Sequence, residues 1–174
     1  MATAAHGLGR LYDYTSALSV ADGSAGDITG NRIRLNNADG ISFVAFYDAG
    51  QAGDDLKFDL QEHNASSGGT SQDLDIITVS YIKTETTLDG DETWTKITQS
   101  VASEVTDPGV TGTTAEEENI WVVEVLADQL SDGFDWISLN LLDFGSASTK
   151  FGGVLGVLFD LADQRAPENL AAPQ

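Results

Sequence analysis

The chain has no cysteine among its 174 residues and only two histidines, His6 and His63. Disulfides, thiolate metal sites and cysteine nucleophiles are therefore excluded. Two histidines so far apart cannot make a His-rich metal site, and no H-E-x-x-H is present. Positive charge is scarce: 8 Lys and Arg stand against 28 Asp and Glu, a net charge of −20. Such a surface repels phosphate, which argues against binding nucleic acid or an anionic membrane directly. The plainest reading of the charge is a well-solvated surface. Long apolar runs are missing too, and none reaches the roughly 18 residues of a membrane helix. The most apolar stretch, FGGVLGVLFDL (151–161), is short and glycine-rich and reads as a buried strand. The N-terminal MATAAHGLGRLYDY lacks a basic segment followed by an apolar one, so no secretory signal is expected. Neither a phosphate-binding loop nor a G-x-S-x-G elbow occurs.

What the chain does have is period-two alternation. In DDLKFDLQE, Leu56, Phe58 and Leu60 point one way and Lys57, Asp59 and Gln61 the other. NRIRL sets Ile33 and Leu35 against Arg32 and Arg34, and LDIITVSYIK sets Ile77, Val79 and Tyr81 against Thr78 and Ser80. DGISFVAFYDAG and TWTKITQ are further strands, while NIWVVEVLA and FDWISLNLLDF are apolar on both faces in places and suit central positions. Turn clusters such as ADGSAGD, NNADG and NASSGGTSQD separate these runs. Only 126–133 hints at a helical turn. Eight or nine short strands between frequent turns predict an all-β fold, a single antiparallel β-sandwich of jelly-roll type. The expected division is an extended N-terminal arm at 1–15, the sandwich at 16–162 and a C-terminal tail leaving the domain at 163–174. The arm carries Leu8, Leu11, Tyr12 and Tyr14, more apolar surface than a free tail needs. These four are the candidate partner-binding residues, set to pack either on their own domain or on a neighbour.

Several residues could carry chemistry. His63 ends the DDLKFDLQE strand on the parity opposite to Leu56, Phe58 and Leu60, beside Ser66 and Ser67. Acid–base work needs an oriented histidine near a nucleophile, and these serines lie in a glycine-rich loop. A loop-edge histidine is the preferred reading, and no catalytic residue is assigned. Asp89 and Asp91 begin like a calcium loop, but positions six and twelve are Trp94 and Ser100 instead of Gly and Glu. The acidic run 116–119 reads as a solvated loop, so neither metal nor cofactor is expected. With 28 acids some pair always lies at a glycosidase spacing, which makes that signal weak. Of the three tryptophans, Trp121 and Trp136 sit in apolar strands. Trp94 is the one suited to an exposed sugar-stacking position.

The elements FDLQEHNASSGG, WTKITQ, LADQLSDGFDWISLNL and RAPENL follow one another from about residue 43 to 170. In this order the chain resembles head decoration (capsid cement) proteins encoded in the head gene clusters of tailed bacteriophages. The resemblance implies a structural virion protein without an active site. Its partner would be the phage major capsid protein, bound on the outer capsid surface. It further implies a homotrimer at threefold or quasi-threefold positions, with an arm reaching onto the shell. Many copies summing modest affinities would stabilise the capsid. The competing expectations are a phage tail or head–tail connector protein and, from a different class, a carbohydrate-binding β-sandwich.

Overall fold

The computed structural model describes residues 7–106, 114–144 and 149–173. Its strands are β1 (Tyr12–Asp22), β2 (Ile33–Arg34), β3 (Ala38–Tyr47), β4 (Lys57–His63), β5 (Ser71–Asp73), β6 (Ile77–Glu85), β7 (Thr95–Ala102), β8 (Glu104–Thr106), β9 (Glu118–Leu126), β10 (Trp136–Leu141) and β11 (Phe151–Leu161). Helical structure among the described residues is confined to single 3-10 turns, one of them Ala127–Gln129 within the predicted helical segment.

The strands form two antiparallel sheets. One runs β1-β11-β3-β9-β6-β7 and the other β2-β10-β4-β5, with β8 also pairing β4. Set aside β6 and β7, and four strands ordered β1-β11-β3-β9 face four ordered β2-β10-β4-β5. That is the jelly-roll arrangement, extended on one side by the β6–β7 hairpin. The predicted all-β sandwich is what the chain forms. Strand number exceeds the expected eight or nine because β5 and β8, of three residues each, are too short to display an alternation, and because β1 begins inside the segment expected to be an arm.

The core lies between the sheets. Ile41, Phe43, Ala45 and Tyr47 of β3 and Trp121, Val123 and Val125 of β9 are buried against Phe58 and Leu60 of β4 and Ile137, Leu139 and Leu141 of β10. Phe58 links the layers: its ring meets Trp121 edge-on at 5.7 Å between centroids and Tyr47 at 6.0 Å. Offset aromatic pairs of this kind add about 0.5–1.5 kcal/mol beyond the area they bury. Ile33 and Leu35 face inward, with Arg34 exposed between them, as the alternation predicts.

Three expectations change. The burial parity of β6 changes after Ile77, where its pairing with β7 also shifts register between Ile77 and Val79. Ile77 remains buried, but Ser80 and Ile82 now face inward and Tyr81 faces out. The arm expected at 1–15 ends earlier, because Tyr12, Asp13, Tyr14 and Thr15 already pair with Phe159, Leu158, Val157 and Gly156 in β11. The tail does not leave the domain. Arg165 N donates to Gly9 O at 2.8 Å, Arg34 N donates to Pro173 O at 2.7 Å, and Leu170 packs on the core. Strand β2 is an edge, and the tail supplies the acceptor for its Arg34 N–H.

Candidate functional site

The chemistry-bearing residues gather on the outer face of the smaller sheet. Strand β4 sets His63 opposite both Trp136 and Ser71, and Ser138 follows two residues along β10 on the same face. His63 is only 2 % exposed. Its Nδ1 lies 2.7 Å from Ser71 Oγ and its Nε2 2.9 Å from Ser138 Oγ. Arg32 Nη2 donates to Ser71 Oγ at 3.0 Å, and Ser138 Oγ donates to Asn140 Oδ1 at 3.3 Å. Asn140 Oδ1 also accepts Gly30 N at 2.9 Å. These partners orient the whole chain: Ser71 donates to Nδ1, and Nε2–H donates to Ser138, a tautomer assigned from the network. Burial, and then the Arg32 guanidinium, lower the His63 pKa to about 4 against a small opposing pull from Glu62. The imidazole is therefore neutral at pH 7.

The loop-edge expectation for His63 is thus corrected. The residue ends a strand but is covered, because Arg32 folds over it and donates to Ala65 O at 2.8 Å and Gly68 O at 2.7 Å. Within the same loop, Asn64 Oδ1 accepts Thr70 N at 2.8 Å. Ser66 and Ser67, adjacent in sequence, are not its partners in the network. A hydrolase triad orients its histidine with a carboxylate. Here a serine occupies that place, and the network secures the 64–70 loop. The neighbouring Glu62 serves the fold likewise, accepting Gln72 Nε2 at 2.6 Å and Ser131 N at 2.8 Å. Elsewhere the buried Lys150 Nζ donates to Ala115 O at 2.9 Å. Asp59 is buried and its pKa is raised, chiefly by that burial. His6, the other histidine, lies outside the described residues.

A second cluster lies at the β6–β7 turn, where ligand oxygens of Glu85, Asp89, Asp91 and Glu92 fall within 4.8 Å of one another. Glu92 accepts Gly90 N at 3.0 Å, and this bond heads the causes that lower its pKa. The Glu85 pKa is raised by desolvation and then by Asp91 and Asp89. In the acidic run 116–119, Glu117 accepts Thr84 Oγ1 and Glu118 accepts Leu88 N, so both brace this turn. Trp94 is half-exposed as expected, with Lys83 Nζ 5.2 Å over its ring. Trp121 is buried, and Trp136 is half-buried with the Arg34 guanidinium 5.8 Å from its ring.

The third feature is the outer face of the six-stranded sheet. Val44 of β3 stands between Leu155 of β11 and Val122 of β9, and Val122 in turn faces Tyr81 of β6. Phe46 lies next along β3, opposite Gly153 and Ile120. Val20, Phe46, Phe151 and Leu155 are all exposed. Gly153 shapes a groove among them: a Cβ there would lie 3.0 Å from Leu18 O and 3.2 Å from Val20 N, so only glycine lets β1 cross this close.

Of the four candidate partner-binding residues, Tyr14 is exposed and pairs with Val157 on this sheet, and Leu11 is exposed at its margin. Leu8 and Tyr12 are half-buried and joined by a β-bridge, and the Tyr12 and Tyr14 rings lie 5.3 Å apart. Val20, Val44, Phe46 and Leu155 were missed by the sequence reading. Their signal was present in ISFVAFY and FGGVLGVLF, which are apolar at both parities, a pattern that normally means a strand covered on both faces.

No family model matches the chain, and no curated protein sequence matches it.

Proposed function

We propose that this chain is a structural virion protein that attaches to the outer surface of a tailed-phage head and stabilises the shell by bridging major capsid subunits. The observation that carries this reading is the broad, apolar, unpartnered sheet face on an otherwise acidic molecule. Exposed apolar surface of this extent marks a place where another protein packs. The polar residues point the same way, since His63, Arg32 and Glu62 spend their hydrogen bonds on holding loops. The reading is non-enzymatic for that reason. The jelly roll is compatible with it but does not choose, because capsid proteins and lectins both use the fold.

A carbohydrate-binding role is the second reading, favoured by the half-exposed Trp94 close to Glu92 and its neighbouring carboxylates. Lys83 over the ring counts against it, because it takes up one stacking face. Under that reading Trp94→Ala abolishes sugar binding, and under the structural reading there is no sugar binding to lose.

The test of the structural reading is the copy number of this chain relative to the major capsid protein in purified particles. A ratio near one to one, or a fixed number of copies per symmetry position, is expected. A few copies per particle would move the chain to the tail or connector, and absence from particles would overturn the proposal.

A further inference from the structure

The outer face of the six-stranded sheet is apolar in its middle and acidic along one end. We infer that the capsid surface it accepts presents an apolar projection beside a row of Lys or Arg side chains, and that this basic row docks on four carboxylates aligned across the acidic end. The inference rests on the structural reading above and deepens it by stating the chemistry of the partner.

Strand register sets the carboxylates in line. Asp22 of β1 pairs with Phe151 of β11, and Phe151 O accepts Asp48 N at 2.9 Å just past the end of β3. Asn119 pairs with Tyr47, which brings Glu118 of β9 to the level of Asp48, and Glu118 pairs with Glu85 of β6. Neighbouring strands lie about 4.8 Å apart, so the row from β1 to β6 is roughly 19 Å long. Three of these groups are fixed by the backbone: Asp22 accepts Ser24 N at 3.1 Å, Asp48 accepts Phe151 N at 2.6 Å and Glu118 accepts Leu88 N at 2.9 Å.

Those bonds orient the carboxylates without neutralising them. The ion pairs among the described residues join Arg34 to Asp135, Lys57 to Glu104 and Arg165 to Asp163, and none includes the row. Lys83 shares the outward face with Glu85, but its ammonium lies over the Trp94 ring and also acts on Glu92. Lys96 is one level further along, opposite Tyr81. The raised pKa of Glu85, due to desolvation and then to Asp91 and Asp89, agrees with negative charge gathered at this end.

One side-chain repeat along the strands, about 6.8 Å, the character changes. Phe46 and Ile120 stand at that level beside Gly153, and Leu155, Val44 and Val122 at the next. The groove over Gly153, bordered by Val20 and Phe46, takes a projecting apolar side chain. Beyond it the level of Tyr14, Val157 and Ser42 holds one carboxylate, Glu124, which accepts Ser42 Oγ at 2.8 Å. The face is therefore polar in the directional sense. Its apolar middle supplies affinity, and its acidic end steers the partner and fixes its orientation. An apolar surface laid over that end would desolvate four unpaired carboxylates at a cost, whereas a basic row offsets it.

The test is binding of the full chain to heads of the encoding phage assembled without it, followed as association and dissociation rates over a salt series. Wild-type association should slow about tenfold or more from low to high salt. Glu85→Gln combined with Asp48→Asn should slow low-salt association about threefold or more and flatten the salt dependence, with little change in dissociation. Phe46→Ala should speed dissociation about 30-fold, as for a central interface residue, and keep the wild-type salt dependence. Glu85 is exposed, so Glu85→Gln alone serves if the double variant does not fold. Association indifferent to salt, or to the charge substitutions, would overturn the inference and leave the capsid role standing. A wild-type dimer that Phe46→Ala dissociates, with head binding unchanged, would give the face to a second copy and overturn it as well. Heads that bind no form of the chain would remove the capsid role itself, and the inference with it.

Discussion

His63 Nε2 lies 2.9 Å from Ser138 Oγ across neighbouring strands, although 75 residues separate the two in the chain. On its other side His63 meets Ser71, and through Ser71 it meets Arg32. One neutral imidazole thus ties β4 to β10 and to β5, and the arrangement holds only while the ring is uncharged, because Nδ1 must accept a proton from Ser71.

This fixes a pH dependence. The His63 pKa falls from an ordinary 6.5 to about 4 on folding. Between these values the unfolded chain binds more protons than the folded one, so stability rises with pH. The contribution is complete above pH 6.5 and is lost as the pH falls through 6.5 towards 4. It amounts to about 2–3 kcal/mol. Urea titrations between pH 4 and 7 should show His63→Gln losing that much less stability on acidification than the wild type. Parallel curves would show that the ring is not held neutral by folding.

Arg32 should be needed for the loop more than for the sheet. Its Nη1 reaches two carbonyls of the 64–70 loop while its Nη2 reaches Ser71. Arg32→Ala should destabilise by about 1–2 kcal/mol and speed amide exchange across 65–71, with little change in the β3 and β9 amides. Arg32→Lys should restore little, since one ammonium cannot reproduce the planar fork. Exchange faster everywhere in equal measure would show that the loop has no separate dependence on Arg32.

Gly153 should tolerate a side chain poorly. A Cβ there would come 3.0 Å from Leu18 O, so β1 would have to move. Gly153→Val should cost about 1–3 kcal/mol, measured by thermal or urea unfolding. Gly153→Ala should cost less. A Val variant as stable as the wild type would mean that β1 can ride outward freely.

The strands that could be read in advance were those with one wet face. Ile33 and Leu35, or Phe58 and Leu60, are placed correctly by parity because their polar neighbours meet solvent. The reading failed in β6, whose inward positions pass from Ile77 to Ser80 and Ile82 where the pairing with β7 shifts register, and no local signal marks that change. It also failed for His63. Its neighbours in sequence are loop residues, whereas its neighbours in space, Ser138 and Arg32, come from distant segments. The apolar outer face was hidden for another reason. Val44, Phe46 and Leu155 lengthen apolar runs that look like doubly buried strands.

By itself the sequence determined the class of the molecule. Period-two alternation with turn residues at short intervals leaves no helix to build, and the absence of cysteine, together with a charge of −20, removes thiol chemistry and disfavours phosphate partners. The tertiary structure alone decided which side of each apolar strand is left open and which residues enclose His63. Both depend on strand order and register, and these are settled by packing between segments far apart in the chain.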